Sequence, residues 1–201
     1  MHELIFKYLS SCSTSSLTEK DMELMRNTFV SKKMRKRQYF LQEGDVCKHF
    51  AFIVKGAMRQ YTVDDKGIEH FVQLSIENYW AGDRESFATF TPSIYNIDAW
   101  EDTELLLITR TDFLNLLDSI PGVAEMVRKL DEKDFIFAQR RLKALISLTA
   151  EKRFAEFESS NPEFNRRFPQ HIIASYLGVT NVTLSRVRKQ AMKKYSLPVI
   201  S

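Results

Sequence analysis

QHIIASYLGVTNVTLSRVRKQ, residues Gln170–Gln190, is the stretch that decides how this chain is read. Pro169 precedes it and suits a helix start, because proline lacks the N–H that the first turn leaves unpaired. Gly178 stands where a tight turn between two helices needs left-handed backbone. Ala174 is small at the point where the two helices would cross. Ile173, Leu177, Val179, Leu184 and Val187 supply apolar contacts at the spacing of a helix-turn-helix. An ordinary helical hairpin would pack in the same way but predicts no particular chemistry on its second helix. Here the outward face from Thr180 to Gln190 carries Thr180, Asn181, Ser185, Arg186, Arg188 and Lys189, donors suited to phosphates and base edges. The geometry of such a motif turns Thr180, Asn181, Val182, Ser185 and Arg186 toward the major groove. Arg186 is the expected base reader, its planar fork matching O6 and N7 of guanine, with Asn181 suited to adenine and Val182 to a thymine methyl. Gln170, His171, Thr183, Arg188 and Lys189 are expected on phosphates, which set register without reading sequence.

Charge is distributed to match. Residues 149–201 carry nine Lys or Arg against four acids, whereas residues 1–148 carry 20 basic and 22 acidic groups. A basic C-terminal part on a slightly acidic body points to a polyanion at one end. The composition, 44% hydrophobic and 27% charged, is that of a soluble globular chain. Residues 1–10 lack the apolar core of a signal peptide, and no stretch approaches the ~18 apolar residues of a membrane span. The expected location is therefore the cytoplasm, with no membrane partner. Cys12 and Cys47 read as free thiols, too few for an iron–sulfur site.

Working back from the motif, Ala150 to Phe157 reads as a helix ended by Ser159-Ser160-Asn161-Pro162, and Ser147 to Thr149 as a hinge. Apolar residues recurring every three or four positions predict a helix from about Val123 to Ile146, roughly 35 Å long. Its other face is charged, which suits a dimer helix. Asp134 and Arg141 interrupt any strict heptad. A shorter helix starts at Thr111-Asp112-Phe113-Leu114, with Thr111 or Asp112 as its cap, and ends at Pro121-Gly122. Before it lie short strands: Phe50–Val54, Met58–Val63, His70–Leu74 and Glu104–Ile108, with a hairpin loop at Asp64–Gly67. Several short strands with glycine-bearing turns predict a sandwich or jelly roll. Leu17 to Phe29 has helical spacing and opens the chain.

With these parts in order, the chain from about Leu17 to Tyr195 resembles the Crp/Fnr family of bacterial regulators. The residues that carry the resemblance are Glu43-Gly44-Asp45, Phe52-Ile53, Gly56, Arg59-Gln60-Tyr61 and Gly67-Ile68-Glu69, followed by the long helix and the terminal motif. The resemblance implies an α+β chain: a cyclic-nucleotide-binding-like jelly-roll sensor domain at 1–121, a dimerisation helix and hinge at 122–148, and a winged helix-turn-helix at 149–201. It implies a homodimer on double-stranded DNA, RNA polymerase as a further partner, and a small-molecule effector. It also places Arg186 at the position of a family base-reading arginine.

The departures bear on the effector. In members that bind cyclic nucleotides, a Gly-Glu pair and a downstream Arg-Ser pair hold the ribose and cyclic phosphate. Here the first region reads Gly82-Asp83-Arg84-Glu85-Ser86, and the second aligns with Ser93-Ile94 within Pro92–Asn96, without the arginine. A buried phosphate would lack its cation. Arg84 reads as a surface arginine. Cyclic AMP is therefore not expected to bind in the usual way, and no cofactor is expected. The anticipated pocket is lined by Gly82, Asp83, Arg84, Glu85, Ser86, Ser93, Ile94 and Tyr95, with Phe135 or Phe137 from the long helix. The cysteine-rich signature of oxygen-sensing members is absent, and Val182 replaces an acid common in the family. A competing reading is a cupin-like jelly-roll protein that binds a ligand without regulating DNA. His49 and His70 are isolated, no His-x-His pair occurs, and no nucleophile–base motif is visible, so neither a metal site nor an enzyme is expected.

Overall fold

A computed structural model of the chain describes residues 1–195, with side chains through Ala191. Eight strands fall in the first half: β1 (Val30–Met34), β2 (Tyr39–Leu41), β3 (His49–Lys55), β4 (Met58–Val63), β5 (Glu69–Ser75), β6 (Trp80–Ala81), β7 (Asn96–Ala99) and β8 (Thr103–Thr109). They pair antiparallel into two four-stranded sheets, ordered β1-β8-β3-β6 and β2-β7-β4-β5. The two sheets stack as a jelly roll, as expected. The crossing from β3 to β4 passes through Gly56, at φ +107°, where an added Cβ would stand 2.4 Å from Thr103 Oγ1 and 2.7 Å from its Cα. Only glycine fits there.

The strands anticipated from alternation are β3, β4, β5 and β8. The four others gave no such signal. β6 has two residues, β7 is buried at all four positions, and β1 is a lysine-bearing edge strand.

Nine helices occur among the described residues: α1 (His2–Cys12), α2 (Glu19–Thr28), α3 (Arg84–Thr89), α4 (Arg110–Ser119), α5 (Pro121–Ser147), α6 (Ala150–Ser160), α7 (Pro162–Arg167), α8 (Gln170–Tyr176) and α9 (Asn181–Tyr195). The helix expected over Leu17 to Phe29 is α2, set by a capping box in which Thr18 and Asp21 satisfy each other's backbone N–H. α1 was not anticipated; it buries Ile5, Phe6 and Leu9. The cap of α4 is Thr109, not Thr111 or Asp112: its Oγ1 accepts from the Asp112 N–H at 3.2 Å. Pro121 does not merely break α4. It occupies the first turn of α5, where its missing N–H costs nothing. Likewise Asn161-Pro162 ends α6 and at once starts α7. No strand follows Thr109 among the described residues, so the wing expected within 149–201 is not found in the part of that span they cover, 149–195.

Three apolar cores hold the chain. One fills the space between the sheets, with Leu41, Ile53, Met58, Ile97 and Leu105. A second lies outside the β1-β8-β3-β6 sheet, where α1, α4 and the start of α5 bury Leu9, Phe52, Leu106, Leu116 and Met126. The third joins the outer face of the other sheet, through Tyr61, Phe71 and Leu74, to Phe154, Phe157, Phe164, Ile173, Leu184 and Val187 of the C-terminal helices. α5 is buried only at its start, and every residue from 131 to 140 is exposed.

Candidate nucleic-acid interface

The terminal motif is built as two crossed helices. Ile172, Ile173 and Ala174 of α8 are fully buried, and Leu184 and Val187 of α9 pack against the same core. Between them Gly178 adopts φ +64°, the left-handed conformation anticipated for it. Its N–H donates to the Ser175 carbonyl, and the next N–H, of Val179, donates to the Ala174 carbonyl at 3.0 Å, closing the turn. Thr180 caps α9: its Oγ1 accepts from the Thr183 N–H at 3.1 Å and shares a hydrogen bond with the Thr183 hydroxyl. The second helix thus begins at Asn181, one residue later than the sequence suggested. Gln170 ties the two helices together, its Nε2 donating to the Asn181 carbonyl at 3.1 Å.

The opposite face of α9 is open. Gln170, Asn181, Val182, Ser185, Arg186, Lys189 and Gln190 line one surface groove, and Val182 is 80% exposed. Arg186, Lys189 and His171 are exposed, whereas Thr183, Ser185 and Arg188 are half-buried. The Arg188 guanidinium lies 5.9 Å from the Phe154 ring centre, where the ring face attracts it. An exposed valine among hydrogen-bond donors on an otherwise polar helix is the kind of surface that meets base edges rather than water alone.

The motif is anchored to the jelly roll at two points. At one, Ser175 Oγ accepts from the Phe71 N–H and donates to the Glu69 carbonyl, both on β5, at 3.2 Å each. Beside it, the Arg141 guanidinium of α5 donates to the carbonyls of Val72, Phe71 and Tyr176 and lies 4.2 Å from the Tyr176 ring centre. At the other, Trp100 Nε1 donates to the Arg167 carbonyl at 2.9 Å, while the Arg167 guanidinium pairs with Glu77 and Glu101. Arg167 holds the Glu77 carboxyl below its ordinary range, against the opposing effect of its burial.

The residues anticipated for an effector pocket have other partners. Asp83 caps α3, accepting from the Glu85 N–H at 3.1 Å. Ser86 is buried, donates to the Thr91 carbonyl at 2.6 Å and accepts from the Cys47 N–H at 2.8 Å. Ser93 is buried and accepts from the Tyr95 N–H at 3.0 Å. Arg84 is exposed and reaches across to Asp131 and Asp134 on α5. Gly82 packs against the Phe50 ring. Ile94 is exposed, as are Phe135 and Phe137. Those two phenylalanines lie about 160° apart around α5, at 100° per residue, so a cavity on one side can meet only one of them. The structure gathers 82–86 and 93–95 around α3 and does not bring both phenylalanines to them. His70 bonds to Asp64 at 2.9 Å, and no group of three His, Cys, Asp or Glu suited to a metal occurs among the described residues. None of the described helices is long and apolar enough to cross a membrane.

Sequence reading missed Arg141, because its three carbonyl partners come together only in the folded chain. It also passed over the cations between Lys32 and Arg37, although that run was visible. They sit in the half whose net charge is slightly negative, and the average hid them.

The comparisons with known proteins agree with this geometry. A family model described as Cyclic nucleotide-binding domain matches residues 31–119. The "Fumarate and nitrate reduction regulatory protein" of Salmonella typhi is 26% identical over 204 aligned positions, covering 94% of this chain and 79% of that protein. Among solved structures, FixK2 from Bradyrhizobium japonicum superposes with a TM-score of 0.70 at 20% identity, covering 86% of this chain and 89% of that one. The Catabolite Activator Protein of Thermus thermophilus gives 0.56 at 21% identity, covering 92% and 88%. The relatives are transcription regulators and not enzymes. A sensor-type jelly roll, a long helix and a terminal helix-turn-helix in this order, matched along their length by such regulators, support the reading of this chain as a transcription regulator of the Crp/Fnr type.

Proposed function

We propose that the chain regulates transcription as a homodimer that seats α9 of each protomer in the major groove of duplex DNA. One observation carries this reading: the face of α9 opposite its buried Leu184 and Val187 is an open groove of donors around an exposed valine. Arg186 reads guanine, Asn181 and Val182 read neighbouring bases, and Thr180 and Ser185 flank them. Gln170, His171, Thr183, Arg188 and Lys189 hold phosphates. Residues 1–121 form the sensor domain, 122–148 the dimer helix and hinge, and 149–201 the DNA-binding domain. Two recognition helices about 34 Å apart require an imperfect palindrome.

The sensor would shift the balance between orientations of the DNA-binding domains when a small molecule binds. Support for excluding cyclic AMP in its usual pose comes from Arg84, paired with carboxylates of α5, and from the lack of an arginine beside Ser93. The protein acts in the cytoplasm and hands its effect to RNA polymerase. Selection of bound fragments from a random duplex pool tests the reading. A palindromic site should emerge, and Arg186→Ala should weaken binding to it by ~1–3 kcal/mol and relax preference at one position in each half. An unselected pool, or unchanged preference in the variant, would refute it.

A further inference from the structure

We propose that α9 reads a pyrimidine 5-methyl group through Val182, so that 5-methylcytosine stands in for thymine in the operator and cytosine methylation there tightens binding; this rests on the DNA-binding reading above. Val182 is 80% exposed, more than any other large apolar residue among the described ones. It also holds the centre of the open face. At 100° per residue around α9, Val182 falls opposite the midpoint between Leu184 and Val187, both buried. Ser185 stands to one side of it and Arg186 to the other, and all three line the same groove.

The side chain is presented in a fixed direction. The peptide group before Val182 is tied by the Asn181 carbonyl, which accepts from Gln170 Nε2 at 3.1 Å. The peptide group after it is tied by the Thr183 N–H, which donates to Thr180 Oγ1 at 3.1 Å. Valine in a helix has one strongly preferred rotamer, so its two methyl groups have little freedom left to lose on contact. Arg186 follows by four residues, on the same face of the helix and about 6 Å further along its axis. An apolar contact therefore sits beside the expected guanine contact.

What faces Val182 is decided by what the motif lacks. From Phe164 to the end of the sequence there is no aspartate or glutamate. Cytosine turns an amino donor to the major groove, which a carboxylate matches, and carries only hydrogen at C5. Against Val182 it offers neither a match nor a methyl group. Thymine offers the methyl group. 5-Methylcytosine carries the same methyl group on the same ring carbon, and its guanine partner presents two acceptors, O6 and N7. Arg186 and Lys189 line the groove as donors for them. A phosphate is the poorer fit, because valine has nothing to donate.

The test uses duplexes carrying the operator that the wild-type chain selects. Deoxyuridine in place of thymidine removes the methyl group alone, and is placed at each thymine in turn, symmetrically in both halves. Burying one methyl group corresponds to about fourfold in affinity, so one such position should lose about 15-fold over the two halves. At that position a 5-methylcytosine·guanine pair should bind about 15-fold more tightly than a cytosine·guanine pair. In Val182→Ala both differences should shrink to about threefold or less, while the guanine preference assigned to Arg186 persists. An unchanged thermal unfolding curve shows that this variant is folded. No sensitive thymine, or equal binding of cytosine and 5-methylcytosine by the wild type, overturns the proposal without any variant. A methyl effect that survives in Val182→Ala also overturns it, assigning the contact to another side chain. Failure of the wild type to select any operator overturns the DNA-binding reading itself.

Discussion

Truncating the exposed stripe of α5 should break a dimer, and the size of the effect follows from the structure. Phe135, Leu142 and Ile146 fall within about 40° of one another around the helix, at 100° per residue. They are 64%, 59% and 76% exposed in the single chain. Burying such a side chain completely stabilises by ~1.5–3 kcal/mol, so covering the exposed fraction contributes about 1–2 kcal/mol. In a two-fold interface each residue counts twice. Leu142→Ala should therefore cost ~2–4 kcal/mol of association, which raises the dissociation constant roughly 30- to 1,000-fold. Sedimentation equilibrium across a concentration series reads this directly. Circular dichroism should show unchanged helix content, because alanine has the highest helix propensity and position 142 contacts no core of its own chain. A wild-type chain that stays monomeric, or a variant within twofold of the wild type, would refute the reasoning. Ten consecutive exposed residues, 131–140, would then need another cover.

Two further predictions concern charge. Arg59 meets Asp98 through paired hydrogen bonds of 2.7 and 2.8 Å, with side chains 11% and 4% exposed. Asp98→Ala leaves that guanidinium with only Glu69, at 3.1 Å, and should cost at most ~3–5 kcal/mol in urea unfolding, whereas Arg59→Met/Asp98→Leu together should recover most of the loss; equal losses would contradict the pairing. Glu125 ties α1 to α5, accepting from Ser13 Oγ and the Thr14 N–H, and these bonds with Lys129 pull its carboxyl down to about 2. A lowered carboxylate stabilises above its unfolded value, near 4.5, and loses that contribution as pH falls through about 2. The thermal midpoint of the wild type should therefore exceed that of Glu125→Gln at neutral pH and converge with it on acidification; a gap independent of pH would remove Glu125 from this role.

Much of this protein is written locally. Gly178, Ala174 and the apolar positions around them specify two crossed helices, because a left-handed turn and a close crossing each admit few residue types. The donors on α9 could be read in the same way, since helical periodicity alone turns Ser185 and Arg186 away from Leu184 and Val187. β3, β4, β5 and β8 carry enough apolar pattern to be seen, and α5 shows its stripe in the spacing of its apolar residues. Tertiary structure decided the rest. β7 is buried at every position and so has no alternation to read, and β6 is too short to have any. The start of α4 passed to Thr109, ahead of both caps the sequence offered, because the hydroxyl at the end of β8 accepts from the Asp112 N–H. The docking of α8 on β5 through Ser175, and the convergence of three carbonyls on Arg141, join residues up to 106 positions apart. Pattern along a chain reports which face of an element is apolar. Which distant carbonyl a guanidinium finds depends on how whole elements come together, and that is fixed only by packing.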